Sequence, residues 1–226
     1  MYNLYVNESP PLSAPNPFSA KRLRPGVIPF LFPPDMDWSK LDRRLGENRY
    51  RGQIVGPHGT GKSTLFADWK ARLARQGWNV VTIRMHGALD RQQRRQDLLK
   101  LVSSLLSVNP PRPNTIVFID GYEQLARWQR VCVQSWLRIR AAGLVVTTHD
   151  DLGLPTLFRT QSNVELAGQV ADRIAHAANV GAVAPPAEVV DRLWNEHSGD
   201  IRETLFSLYD WYESHVQAIA TPAKSA

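Results

Sequence analysis

The stretch GPHGTGKST, residues 56–64, carries the most specific chemistry in the chain. It satisfies G-x-x-x-x-G-K-[ST] through Gly56, Gly61, Lys62 and Ser63, the pattern of a loop that wraps phosphate. Glycines let successive backbone N–H groups turn toward one anion, and a helix that follows adds the positive end of its dipole. On this reading Gly56, Pro57, His58, Gly59, Thr60, Gly61, Lys62, Ser63 and Thr64 form the cradle. Lys62 reaches the β and γ phosphates, and the Ser63 hydroxyl ligates Mg²⁺.

Such a loop needs an acid to share the cation. Asp120 stands at the end of the apolar run TIVFID, where ligands of a parallel sheet gather, and is the candidate for that role. An Asp there also serves as a helix cap or turn residue. Glu123 is placed to orient or deprotonate a water, or to sit in the first turn of the next helix, favoured by its dipole. His58 occupies a variable position of the loop, and His86, His149 and Cys132 have no partners at spacings that suggest a metal site or a dyad. The arginines of DRQQRRQ (90–96) and of the stretch 128–140 would touch nucleic-acid phosphates or form a solvated helix face, the second being the default. The tryptophans read as packing residues.

The elements that must position these groups alternate. A strand at 53–55 leads into the loop, and helical spacing follows over 63–76, closed by Gly77. A strand at 79–84, a helix at 91–106, the strand 115–120, a helix at 124–142 and strands at 144–148 and 163–166 come next. After Gly168 only helical stretches remain, near 169–178, 186–196 and 200–218. The pattern predicts an α/β fold, a three-layer αβα core around a parallel five-stranded sheet, with a small C-terminal helical lid. The expected division is a proline-rich extended segment (1–48), the core (49–168), the lid (169–218) and a flexible tail (219–226). Phe18, Val27, Ile28, Phe30, Leu31 and Phe32 within the proline-rich segment imply that it packs along the surface.

These residues resemble the additional-strand, catalytic-glutamate P-loop NTPases, in particular the AAA+ and STAND ATPases, over roughly 51–213. DGYE at 120–123 is similar to the STAND arrangement, in which a small residue follows the Asp, rather than to an adjacent Asp-Glu pair. The resemblance implies a sensor-1 group at Thr147 and Thr148, with Thr148 the one assigned to catalysis; a threonine pair also suits any strand. It implies an arginine finger at Arg159, which requires a homo-oligomer, where the alternative is a surface arginine. Arg202 in GDIR (199–202) is similar to the sensor-2 arginine that reaches from lid to nucleotide, or is an exposed residue at a helix start. TTHD at 147–150 lacks the lysine of the guanine-reading [NT]-K-x-D pattern, so ATP is the expected nucleotide. The expected function is Mg²⁺-dependent ATP binding and hydrolysis, coupled to lid motion on a partner. The alternatives are a nucleotide switch with little turnover and a DNA-associated ATPase or loader.

Composition bounds the rest. Hydrophobic residues are 43% and charged residues 21% of 226, which suits a soluble globular chain. No long uncharged apolar run or leader pattern is visible, so no membrane association is expected. The single Cys132 suits a reducing compartment, and the expected location is cytoplasmic. The net charge of +6 is uneven: residues 1–149 carry 22 basic and 10 acidic groups (+12), residues 150–226 carry 5 and 11 (−6). Such a field would attract nucleotide or nucleic acid, or hold the acidic C-terminal part against the basic core or one subunit against the next.

Overall fold

Five short stretches pair side by side in the computed structural model, which describes residues 16–24, 26–87, 91–106, 114–178 and 184–220. They are β1 (Arg51–Val55), β2 (Asn79–Arg84), β3 (Thr115–Asp120), β4 (Gly143–Thr148) and β5 (Thr156–Arg159). The order is β2-β3-β4-β1-β5, and every pairing is parallel. The inner strands β3 and β4 are buried along nearly their whole length, as continuous apolar runs in a sheet covered on both faces should be. The exposed positions Thr82, Arg84 and Arg159 lie on the edge strands β2 and β5.

Helices cover both faces. α2 (Lys62–Arg75) sets Phe66 and Trp69 against Phe118 of β3, with ring centroids 4.6 and 5.8 Å away. α3 (Arg91–Leu106) and α4 (Arg127–Ile139) bury Leu101, Leu105, Val133 and Leu137 in one core with Val117, Ile119, Leu144 and Val146. Each such side chain contributes about 1.5–3 kcal/mol when fully removed from water.

α1 (Trp38–Glu47) is a correction to the extended segment expected over 1–48. The prolines stop at Pro34, Asp37 caps the helix by accepting from the Lys40 N–H at 2.8 Å, and Leu41 and Leu45 fall one turn apart on its buried side. α1 also anchors α2: Asp42 accepts from Trp69 Nε1 at 2.8 Å and from Arg72 Nε at 3.0 Å.

The last strand is likewise displaced from its expected place. Residues 163–166 open α5 (Val164–Ala177), because Asn163 accepts from the Leu166 N–H at 2.7 Å and so caps a helix. β5 instead uses Thr156–Arg159 and pairs with β1. The helix expected over 124–142 is two elements, a 3₁₀ turn at Tyr122–Gln124 and α4, separated where Ala126 takes the cap position of α4.

The chain divides into two compact units, one spanning 32–161 and one built from stretches on either side of it. The second holds α5, α6 (Ala187–Glu196) and α7 (Ile201–Ala220). Its core contains Phe18 from the N-terminal stretch, edge-on to Tyr212 with centroids 6.3 Å apart. Asn16 Nδ2 donates to Tyr209 O at 3.0 Å and to Glu213 Oε1 at 2.8 Å. The boundary expected at 168 therefore falls inside α5, and the expected 1–48 segment is shared between the units. Of that segment residues 1–15, and of the expected tail residues 221–226, lie outside the described residues. Among the described residues no helix is long and apolar enough to cross a membrane.

Candidate functional site

Register decides which groups meet. Ile54 and Val55 of β1 stand beside Thr147 and Thr148 of β4, and Ile119 of β3 stands beside Val146. The carboxyl ends of β1, β3 and β4 thus lie side by side, which puts the loop after β1, Asp120 and the threonine pair at one end of the sheet.

The loop has the form expected of GPHGTGKST. Gly59 and Gly61 have φ of 71° and 84°, the left-handed region that favours glycine. Gly61 is the residue before α2, and no side chain caps that helix. Its first N–H groups therefore face the loop rather than a capping oxygen. Lys62 is only 9% exposed, and its Nζ donates to Gly56 O and Pro57 O, each at 2.5 Å. Thr60 Oγ1 lies 2.6 Å from Thr160 Oγ1, tying the loop to the residue after β5.

Ser63 Oγ donates to Asp120 Oδ2 at 3.2 Å, so the two groups assigned to the metal from sequence are in contact. Hydroxyl and carboxylate oxygens are hard donors of the kind Mg²⁺ takes. The other Asp120 oxygen accepts from Thr147 Oγ1 at 2.5 Å, and the same hydroxyl oxygen accepts from the Gly121 N–H at 3.0 Å. Thr148, assigned to catalysis from sequence, turns the other way: its buried hydroxyl donates to Asp150 O at 2.7 Å. Adjacent residues on a strand face opposite sides, so one threonine at most reaches Asp120. Gly121 follows with φ of 80°, and a Cβ there would lie 2.6 Å from Met85 O. Only glycine fits at this second position of DGYE.

Glu123 stands in the 3₁₀ turn before α4, not in the first turn of that helix. Arg130 Nη2 donates to its carbonyl at 2.8 Å. Its Oε1 lies 3.2 Å from His149 Nε2, while its Oε2 is buried with no hydrogen-bond partner among the described residues. His149 Nδ1 is 3.3 Å from Lys62 Nζ and 3.3 Å from Gly56 O, and its ring lies against that of His58 at 3.7 Å. The tautomer protonated on Nε2 donates to Glu123 and accepts from Lys62, leaving Gly56 O to the Lys62 ammonium.

His149 and Arg84 are the residues that sequence reasoning passed over. His149 has no partner at a short sequence spacing, but it directly follows β4 and so falls between β3 and β1 in the sheet. Arg84 ends β2 in register with Asp120, and its Nε lies 3.4 Å from Asp120 Oδ2. Both would have been found by listing the residues at the carboxyl ends of neighbouring strands.

Arg159 is the last residue of β5 rather than a residue before the final strand. Its Nη2 lies 3.1 Å from Asp151 Oδ2. The Gly153 N–H and the Gln53 side chain hold the Asp151 carboxyl below its usual range, with Arg159 adding to the effect. Arg202 belongs to the helical unit, where its guanidinium lies over the Phe206 ring at 5.5 Å and Asp200 Oδ1 accepts from its N–H at 2.8 Å.

The parallel sheet, the loop after its β1 strand and the converging Ser63 and Asp120 define a P-loop α/β fold. One solved structure shares this fold at a TM-score of 0.50, and two more are similar below that value. The replication initiator DnaA bound to AMPPCP and single-stranded DNA is 15% identical, with a TM-score of 0.50, over 80% of this chain and 59% of that one. Domain III of DnaA from Thermotoga maritima is 15% identical with a TM-score of 0.46, over 80% of this chain and 94% of that domain. C. elegans PCH-2 is 13% identical with a TM-score of 0.46, over 81% of this chain and 67% of that one. The chain thus spans 59% of the DnaA chain first compared. No protein-family profile and no curated protein matches it.

Proposed function

We propose that this chain is an ATPase of the additional-strand, catalytic-glutamate class that binds ATP with Mg²⁺ at residues 56–64. The observation that carries the reading is the contact of Ser63 Oγ with Asp120 Oδ2 beneath an uncapped helix start. Mg²⁺ held there would supply neutralisation of the charge that develops on the transferred phosphoryl group. Ser63 and Asp120 would hold it, and Thr147 fixes the Asp120 oxygen that faces away from Ser63. Lys62 exchanges carbonyl partners in the loop for phosphate oxygens, a stronger charge-assisted pairing. Glu123 accepts the proton of the attacking water through its carboxylate. Arg159 from a second copy supplies transition-state charge, and Arg202 couples the helical unit to the nucleotide, on the resemblance drawn above.

The test is calorimetric titration with ATP and Mg²⁺ combined with a phosphate-release assay, each with and without DNA. Binding followed by release supports an ATPase, and stimulation by DNA supports the loader reading. Absence of ATP binding overturns the proposal. One observation favours the switch with little turnover: Glu123 Oε1 is engaged by His149 Nε2 at 3.2 Å. Tight ATP binding without release, restored to turnover in His149→Ala, would establish that reading.

A further inference from the structure

On the face of the sheet covered by α3 and α4, the two helices leave a groove of about 390 Å³ between them. Its floor is Leu101, Leu105 and Val133, all buried. Its rim is apolar and open: Val102 is 52%, Leu106 56% and Trp128 68% exposed. Trp136 Nε1 donates to Leu105 O at 3.4 Å, so the floor is closed by a bond between the helices. Scattered exposed apolar residues are ordinary, but a contiguous strip over a groove marks a contact surface.

Charge selects the occupant. α4 has no acidic residue, and the one acid of α3, Asp97, is buried and accepts from the His86 N–H at 2.8 Å. Among the described side chains the exposed charges on the two helices are Arg95, Lys100, Arg127 and Arg138, all basic, with Arg138 lining a different pocket. Arg95 shares a helical face with Leu98 and Val102 at one end of the groove, and the guanidinium of Arg140 lies over the lining Trp136 at 4.6 Å. We infer that this groove docks an acidic amphipathic helix of a protein partner, with its apolar stripe between α3 and α4 and its carboxylates toward basic side chains such as Arg95 and Arg140 that flank the apolar lining. Nucleic acid fits the flanking basic side chains but not the groove, which offers almost entirely carbon to its occupant. A second copy using the same face would oppose arginine to arginine, at a cost in like-charge repulsion.

Cys132 lines the groove and is the chain's one cysteine, so its alkylation by a maleimide reports occupancy directly in the full chain. The probe is a synthetic helix of about 18 residues with Leu at i, i+3, i+4 and i+7 and Glu elsewhere. At a concentration about ten times its Kd, it is expected to slow alkylation about tenfold by mass action. Added salt should relieve the protection. Val102→Glu and Trp128→Glu, both at exposed positions, should abolish it with unchanged thermal melting. No protection by the Glu peptide overturns the inference, as does equal protection by the same helix with Lys for Glu. Protection by a thymidine oligonucleotide instead assigns the groove to nucleic acid, and protection before any peptide with a doubled mass in solution assigns it to a second copy; either result overturns it. The comparison of Glu and Lys peptides uses the unaltered protein, so it decides even if a variant misfolds.

Discussion

Lys62 and Glu123 are joined through one imidazole, and that arrangement makes their substitutions separable. Lys62→Ala removes a buried ammonium from phosphate reach while leaving the apolar core intact. It should weaken ATP binding about a hundredfold in a calorimetric titration, the scale of a lost charge-assisted contact of about 2–3 kcal/mol. Unchanged affinity would contradict the phosphate role. Glu123→Gln should keep ATP affinity and lower phosphate release about a hundredfold, in the range that general-base removal costs. His149→Ala should move both quantities, because His149 contacts both residues. Thr147→Val keeps the side-chain shape and leaves Asp120 Oδ1 without its hydroxyl donor, so it should cost about 1–3 kcal/mol in thermal denaturation and reduce turnover. The same change at Thr148 should leave turnover intact, which distinguishes the two threonines. The loop and Ser63 were legible because one motif fixes four positions within eight residues, and Asp120 because it ends an apolar strand run. Which of Thr147 and Thr148 meets Asp120, and what His149 contacts, were not, because those partners lie on other elements and no local spacing encodes a neighbour across a sheet.

At the scale of elements, periodicity placed every strand that is buried on both faces. β2, β3 and α3 occupy the residues expected of them, since apolar runs and helical spacing there are unbroken. The misreadings fall where a single cap decides. Asp37 starts α1 just beyond a proline-rich stretch, and Asn163 converts an apparent strand into the first turn of α5. β5 was missed because it is a short edge strand with one exposed end. The link from β2 to α3 rests on Asp97. Burial pushes its carboxyl up, but the His86 N–H and the Gln93 and His86 side chains outweigh this and hold it below its ordinary value of 3.8. A carboxyl depressed on folding contributes stability above its unfolded value that is lost as pH falls through the folded one. Thermal stability should therefore hold steady from neutral pH down to about 4 and then fall, and Asp97→Asn should flatten that acid limb. An unaltered acid limb in the variant would show that other carboxyls set it.

At the scale of the molecule, the basic and acidic halves seen in the sequence map mainly onto different units. The basic residues fall chiefly within 32–161, and the acidic excess falls on the helices after 162. Phe18 crosses that division in sequence, since it lies early in the chain yet is fully buried in the core of the helical unit, against Tyr212 of α7. Phe18→Ala should cost about 3–5 kcal/mol, the range for emptying a large aromatic site. Hydrogen exchange should rise in α5–α7 and stay unchanged in β1–β4; equal loss of protection everywhere would mean the two units unfold together. The bond from Asn16 to Glu213 spans 197 residues of sequence. On the ribosome, then, the phosphate-loop unit has all its strands before the helical bundle has its last partner. The early phenylalanine must wait, apolar and uncovered, until α7 emerges, so holding by a chaperone should matter more for the bundle than for the sheet.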